Sequence, residues 1–163
     1  MSTVSSDVCR GPLLRAIQIE ARNAEVYNSL AQLFVGYEDS VTAIFSELAA
    51  EERRHGMELE KLYRERFGAV PSPGEEPKEV IEAPDLEDPE ALVFDSMTVE
   101  QALKAGLRAE QMARQFYSRE SSRTSDAELR KVYRELGEFE NAHVRLLNDR
   151  LAEKGRAGAS NAR

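Results

Sequence analysis

In four stretches of this chain apolar residues recur in steps of four and three, and in every stretch the same step also lands on a glutamate. The first runs Leu13, Ile17, Glu20, Ala24, Tyr27, Ala31, Phe34 and the second Val41, Phe45, Leu48, Glu52, His55, Leu59, Leu62. The third runs Val99, Leu103, Gly106, Glu110, Ala113, Tyr117 and the fourth Leu129, Tyr133, Leu136, Glu140, His143, Leu147. Such spacing places each series on one face of an α-helix. Four seams of this kind pack as helices crossing at about 20°, so the predicted fold is an all-α four-helix bundle. The strongly polar members of the seams are Glu20, Glu52, His55, Glu110, Glu140 and His143, and nothing else in them is charged.

Both histidines of the chain follow a glutamate by three positions, in Glu52-Arg-Arg-His55 and Glu140-Asn-Ala-His143. Residues i and i+3 share a helix face, so each pair directs a carboxylate and an imidazole to one point in the core. Six polar groups in one layer of a core are costly to desolvate unless something compensates them, and divalent metal does. Carboxylates are hard oxygen donors that can bridge two cations, and each imidazole adds one neutral nitrogen. Two Glu-x-x-His pairs with a lone glutamate from each of two further helices are the ligand set of a di-metal carboxylate site. Four glutamates against two divalent ions are close to neutral, which suits iron cycling between 2+ and 3+. Zinc or manganese also fits this donor set.

The two halves repeat. Glu20 precedes Tyr27 by 7 positions and Glu110 precedes Tyr117 by 7, while Glu20 and Glu52 are 32 apart and Glu110 and Glu140 are 30 apart. Each half thus reads Glu, Tyr, then Glu-x-x-His on the next helix, which predicts a pseudo-twofold axis through a metal pair.

Punctuation supports helices at about 11–36, 40–67, 98–122 and 125–154 in one domain spanning 1–155. Gly36 to Ser40 reads as a short turn with Asp39 or Ser40 as the following cap. Thr98-Val-Glu-Gln101 and Ser125-Asp-Ala-Glu128 read as capping boxes. Residues 68–97 hold five prolines and many acids, too long for a tight turn and too proline-rich for a helix. They predict a long crossover between helices two and three, which leaves those helices parallel. Residues 156–163, in the Gly, Ala, Ser and Arg run after Lys154, read as a disordered tail.

With these motifs the chain resembles the rubrerythrin branch of the ferritin-like superfamily. The resemblance covers residues 13 to 154 and rests on Glu20-Ala-Arg-Asn with Tyr27, Glu52-Arg-Arg-His55, Glu110 with Tyr117, and Glu140-Asn-Ala-His143. It implies a ferritin-like bundle holding two iron ions. In it Glu52 and Glu140 bridge, Glu20 and Glu110 are terminal ligands, and His55 and His143 bind one metal each. Tyr27 and Tyr117 hydrogen-bond to the ligating carboxylates. The implied activity is reduction of hydrogen peroxide or dioxygen at a non-haem di-iron centre, re-reduced by a separate electron-donor protein, in a homodimer that the long crossover permits to exchange helices. Two departures bear on this. Rubrerythrins typically carry a further glutamate three residues after the helix-three ligand, where this chain has Ala113. The single Cys9 also rules out a rubredoxin-like four-cysteine site within these residues.

Alternative functions are ferroxidase or iron-binding activity without cage storage, a metal-binding structural bundle without redox chemistry, and a hydroxylase acting on a larger substrate such as modified tRNA. The net charge of −8, most of it between Glu75 and Glu90, argues against a nucleic-acid surface. No apolar run reaches the roughly 20 residues needed to span a bilayer, and one cysteine without a signal peptide points to the cytoplasm. Glu51, Arg53 and Arg54, together with Glu47 and Glu138, read as solvated side chains. Cys9 reads as an incidental thiol in a mobile N-terminus.

Overall fold

The computed structural model describes residues 3–72 and 97–161, with side chains over 8–72 and 97–157. They form four α-helices: α1 Thr3–Leu33, α2 Asp39–Phe67, α3 Val99–Arg123 and α4 Ala127–Asn161, with no strand among the described residues. Most of the predicted crossover, residues 73–96, lies outside them.

The chain divides into two compact units, Met1–Ser29 with Ala43–Leu92 and Leu30–Thr42 with Val93–Arg163. In the first, α1 and α2 run antiparallel. From one end to the other Arg10 meets Tyr63, Glu20 meets His55 and Tyr27 meets Phe45, so one residue number rises as its partner's falls. In the second, α3 and α4 are antiparallel by the same criterion: Glu110 faces His143, Arg114 faces Asn141 and Tyr117 faces Tyr133.

The seams are the buried faces, with one exception. Every residue counted in the four series is buried except Leu62, which is half-exposed. Tyr63 takes its place in the core, fully buried, and its phenol oxygen accepts a 2.9 Å hydrogen bond from Arg10 Nε. After Leu59 the stripe therefore advances by four rather than three, and a buried hydroxyl gains the partner it needs.

Helix ends depart from the sequence reading at both termini. α1 begins at Thr3 and passes through Pro12, where the reading has a helix starting near residue 11. The ring removes only the hydrogen bond to the Val8 carbonyl, and Leu13, Leu14, Ala16 and Ile17 directly after it are all buried, so packing holds the helix on. Cys9 is helical and buried rather than part of a loose N-terminus. At the other end α4 continues to Asn161 through the segment read as a disordered tail. Gly155 and Gly158 cost a helix only about 1 kcal/mol each, and the alanines between and after them are the best helix formers.

Capping shows where local signals compete. Thr98 and Gln101 form the expected capping box, with Gln101 N–H donating to Thr98 Oγ1 at 3.2 Å and Thr98 N–H to Gln101 Oε1 at 2.8 Å. At α4 the cap is Asp126 and not Ser125: its Oδ1 accepts from Leu129 N–H at 2.9 Å, and its own N–H donates to Thr124 Oγ1 at 3.2 Å. At α2 neither Asp39 nor Ser40 is the cap. The Glu38 carbonyl receives the first helical bond, from Thr42 N–H at 3.0 Å, and Asp39 lies inside the first turn, where its charge suits the helix dipole. The turn before it needs Gly36, whose φ of 71° is left-handed.

The same turn is tied down within its unit by α4. Lys154 Nζ reaches Glu38 Oε1 at 2.7 Å, and Arg150 donates to Ser40 Oγ. That contact gives the end of α4 a reason to stay helical beyond the predicted stop.

Candidate metal centre

Each unit carries one trio of potential ligands. In the first, Glu20 comes from the middle of α1 and Glu52 and His55 from one face of α2. The side chains are 0 %, 0 % and 2 % exposed, and one donor atom from each lies within 4.8 Å of the others. In the second, Glu110 comes from α3 and Glu140 and His143 from one face of α4. Here the exposures are 0 %, 0 % and 5 %, with donor atoms again within 4.8 Å of one another. The structure thus brings together Glu20, Glu52 and His55 in one unit and Glu110, Glu140 and His143 in the other.

The distances carry chemical information. His55 Nδ1 stands 3.5 Å from Glu20 Oε2, and His143 Nδ1 stands 3.4 Å from Glu110 Oε2. Both exceed the usual 2.7–3.2 Å of an N–H···O bond. Two donors each about 2.1 Å from a shared cation, at a roughly tetrahedral angle, stand about 3.4 Å apart. His143 Nδ1 is also 3.7 Å from Glu140 Oε2, so the imidazole faces both carboxylates of its trio. The donor set therefore fits a metal, with Nδ1 as the nitrogen turned towards it in each unit.

Tyr27 and Tyr117, two turns along the same helix faces from Glu20 and Glu110, are fully buried. Tyr27 stacks on Phe45 with ring centroids 5.9 Å apart and planes 17° off parallel. Tyr117 stacks on Tyr133 at 6.1 Å and 28°. Phe116 adds an edge-on contact to both tyrosines of the second stack.

Three buried features went unread in the sequence. Phe45 precedes Glu52 by 7 positions and Tyr133 precedes Glu140 by 7, so the repeat includes the stacking partner of each tyrosine; extending the comparison backwards along helices two and four finds it. Glu120 is buried, with its Oε1 taking a 3.1 Å bond from Arg119 Nε; it is the next member of the α3 stripe after Tyr117. Asn23 is buried one turn after Glu20, at the position that corresponds in the second repeat to Ala113, itself only 1 % exposed. Among the charged residues read as solvated, Arg53, Arg54, Glu47 and Glu138 are exposed and Glu51 is intermediate.

No helix among the described residues is long and apolar enough to cross a membrane. The family model described as Rubrerythrin matches residues 12–151, a span that contains all six candidate ligands. No curated protein matches the chain.

Proposed function

Because this chain belongs to the rubrerythrin family, we propose that its all-α, ferritin-like bundle is a non-haem di-iron oxidoreductase that reduces hydrogen peroxide, or dioxygen, at a carboxylate-bridged metal pair. The observation that carries the reading is the repeated trio, buried in each unit with a histidine Nδ1 3.5 or 3.4 Å from a glutamate of the neighbouring helix.

In this reading Glu20, Glu52 and His55 with Glu110, Glu140 and His143 would hold two ions. Glu52 and Glu140 would take the bridging role, Glu20 and Glu110 the terminal role, and His55 and His143 one ion each, as the family resemblance implies. Four carboxylates and two neutral imidazoles offset the charge of two divalent ions, so burial costs the loaded protein little. Iron supplies two electrons when bound, so that hydrogen peroxide, two protons and two electrons become two waters. The chain's own residues hold the geometry. Nδ1 of each imidazole faces a carboxylate of the neighbouring helix, the helix pairs fix the separation between carboxylate and imidazole, and burial of all six side chains keeps bulk water away from them. Tyr27 and Tyr117 are assigned to hydrogen-bond the ligating carboxylates and hold their orientation. A single cysteine builds no four-thiolate iron site in these residues, and in this reading the electrons are assigned to a separate donor protein. The proposal extends to a homodimer in a reducing cytoplasm.

One residue favours a second reading. Ala113 stands where rubrerythrins place an extra glutamate, and it is buried in α3. Without that carboxylate the same centre suits a ferroxidase, or an iron-binding protein that stores nothing in a cage, with dioxygen as the faster oxidant.

The deciding experiment is stopped-flow oxidation of anaerobic protein loaded with two Fe(II) per chain, by hydrogen peroxide and separately by dioxygen. Faster, reductant-reversible reaction with peroxide supports the peroxidase. Faster reaction with dioxygen supports the ferroxidase, and failure to hold two irons rejects both.

A further inference from the structure

Asn23 is the only buried side-chain amide among the described residues, 5 % exposed. It follows Glu20 by three positions and precedes Tyr27 by four, so all three project from one face of α1, with neighbouring Cβ atoms about 5–6 Å apart. The side chains on either side of it in that stripe are a candidate ligand and a buried ring stacked on Phe45. Its Nδ2 is buried and makes no hydrogen bond. A buried donor left unsatisfied is costly, and an apolar residue of the same shape would remove the cost. The second repeat carries the apolar Ala113 at the corresponding place, with no buried donor to satisfy.

We propose that Asn23 is a substrate-orienting residue: its Nδ2–H donates to a small oxygen- or nitrogen-bearing anion, of the size of peroxide or azide, bound beside Glu20, Glu52 and His55. The inference rests on the di-metal reading and adds to it an asymmetry that the ligands lack. Both repeats supply Glu, Glu and His, but only the first supplies a neutral donor one turn along from its terminal glutamate. An exogenous anion is then held from the α1–α2 side, by a hydrogen bond strengthened because its acceptor is charged. An amide also leaves the charge balance of the four carboxylates unchanged, unlike the glutamate that Ala113 replaces.

The test titrates sodium azide into protein loaded with two irons per chain and oxidised, following the azide charge-transfer band, for wild type, Asn23→Leu and Asn23→Ala. Iron per chain is measured in parallel. The expected result is two irons in all three proteins and azide affinity weakened about tenfold or more in both variants, the size of effect of one hydrogen bond to a charged acceptor. Azide affinity within twofold of wild type in both variants overturns the proposal. So does loss of iron confined to the variants, which would make Asn23 a support for the ligands rather than for the anion. Fewer than two irons in the wild type overturns the di-metal reading itself, and this inference with it.

Discussion

His143 Nδ1 lies 3.4 Å from Oε2 of Glu110 on the neighbouring helix, and both residues are buried. The first unit repeats the relationship between His55 and Glu20 at 3.5 Å. Each separation is long for a hydrogen bond and right for two ligands on one cation. That pair of distances ties each histidine to its trio and leads to the first prediction. His55→Ala or His143→Ala should lower bound metal from two ions per chain to roughly one, or abolish cooperative binding, because each removes the only nitrogen donor of its trio. Metal analysis after gel filtration checks it, and two tightly held ions in the double variant would contradict the ligand assignment.

Burying four carboxylates carries a desolvation cost that bound cations offset, so metal and stability are linked. Free metal at about 100 times its Kd stabilises by about 2.7 kcal/mol, worth about 5–10 °C in a chain of this size. Thermal melts with and without chelator measure it. Equal melting temperatures, with the metal content verified, would show that the ion binds elsewhere.

Ala113→Glu places a carboxylate where the resemblance to rubrerythrins puts an extra ligand on helix three. The ratio of oxidation rates should shift towards peroxide over dioxygen. The side chain enters a fully packed position, so metal-free protein should also lose stability through desolvation of the new group. An unchanged ratio in loaded protein would mean that position 113 is not equivalent to the family's extra ligand.

Tyr27→Ala should cost about 3–5 kcal/mol, because it empties a core position stacked on Phe45. Tyr27→Phe and Tyr117→Phe keep the stacks and remove only the hydroxyls. They should leave the fold intact while lowering metal affinity, about tenfold if the hydroxyls orient carboxylates. Denaturant unfolding and metal titration separate the two effects.

Asp126→Ala should destabilise by about 1 kcal/mol through loss of the α4 cap, whose Oδ1 accepts from Leu129 N–H. Ser125→Ala should have little effect. Chemical denaturation of both variants tests the assignment, and a larger loss at Ser125 would restore the capping box expected from Ser125-Asp-Ala-Glu128.

Much of the candidate site was legible in residue spacing because the relevant rule is local. Steps of three and four put Glu52 with His55, and Glu140 with His143, on one helix face whatever surrounds them, and the apolar residues in phase with them say that this face is buried. The repeat from Glu20 to Tyr27 and from Glu110 to Tyr117 is likewise a property of the chain. Spacing therefore determined by itself the helical class, the seam and the six candidate ligands. The neighbouring helix decided the rest. Tyr63 rather than Leu62 enters the core because Arg10 of α1 is there to meet its hydroxyl. Helix α4 outlasts its predicted stop where Lys154 and Arg150 find Glu38 and Ser40, residues far away in sequence. Which imidazole nitrogen faces a carboxylate, and which ring covers each tyrosine, depend on the axial register of two helices and on side-chain rotamers. Those are set by packing between segments, which a periodicity within one segment does not contain.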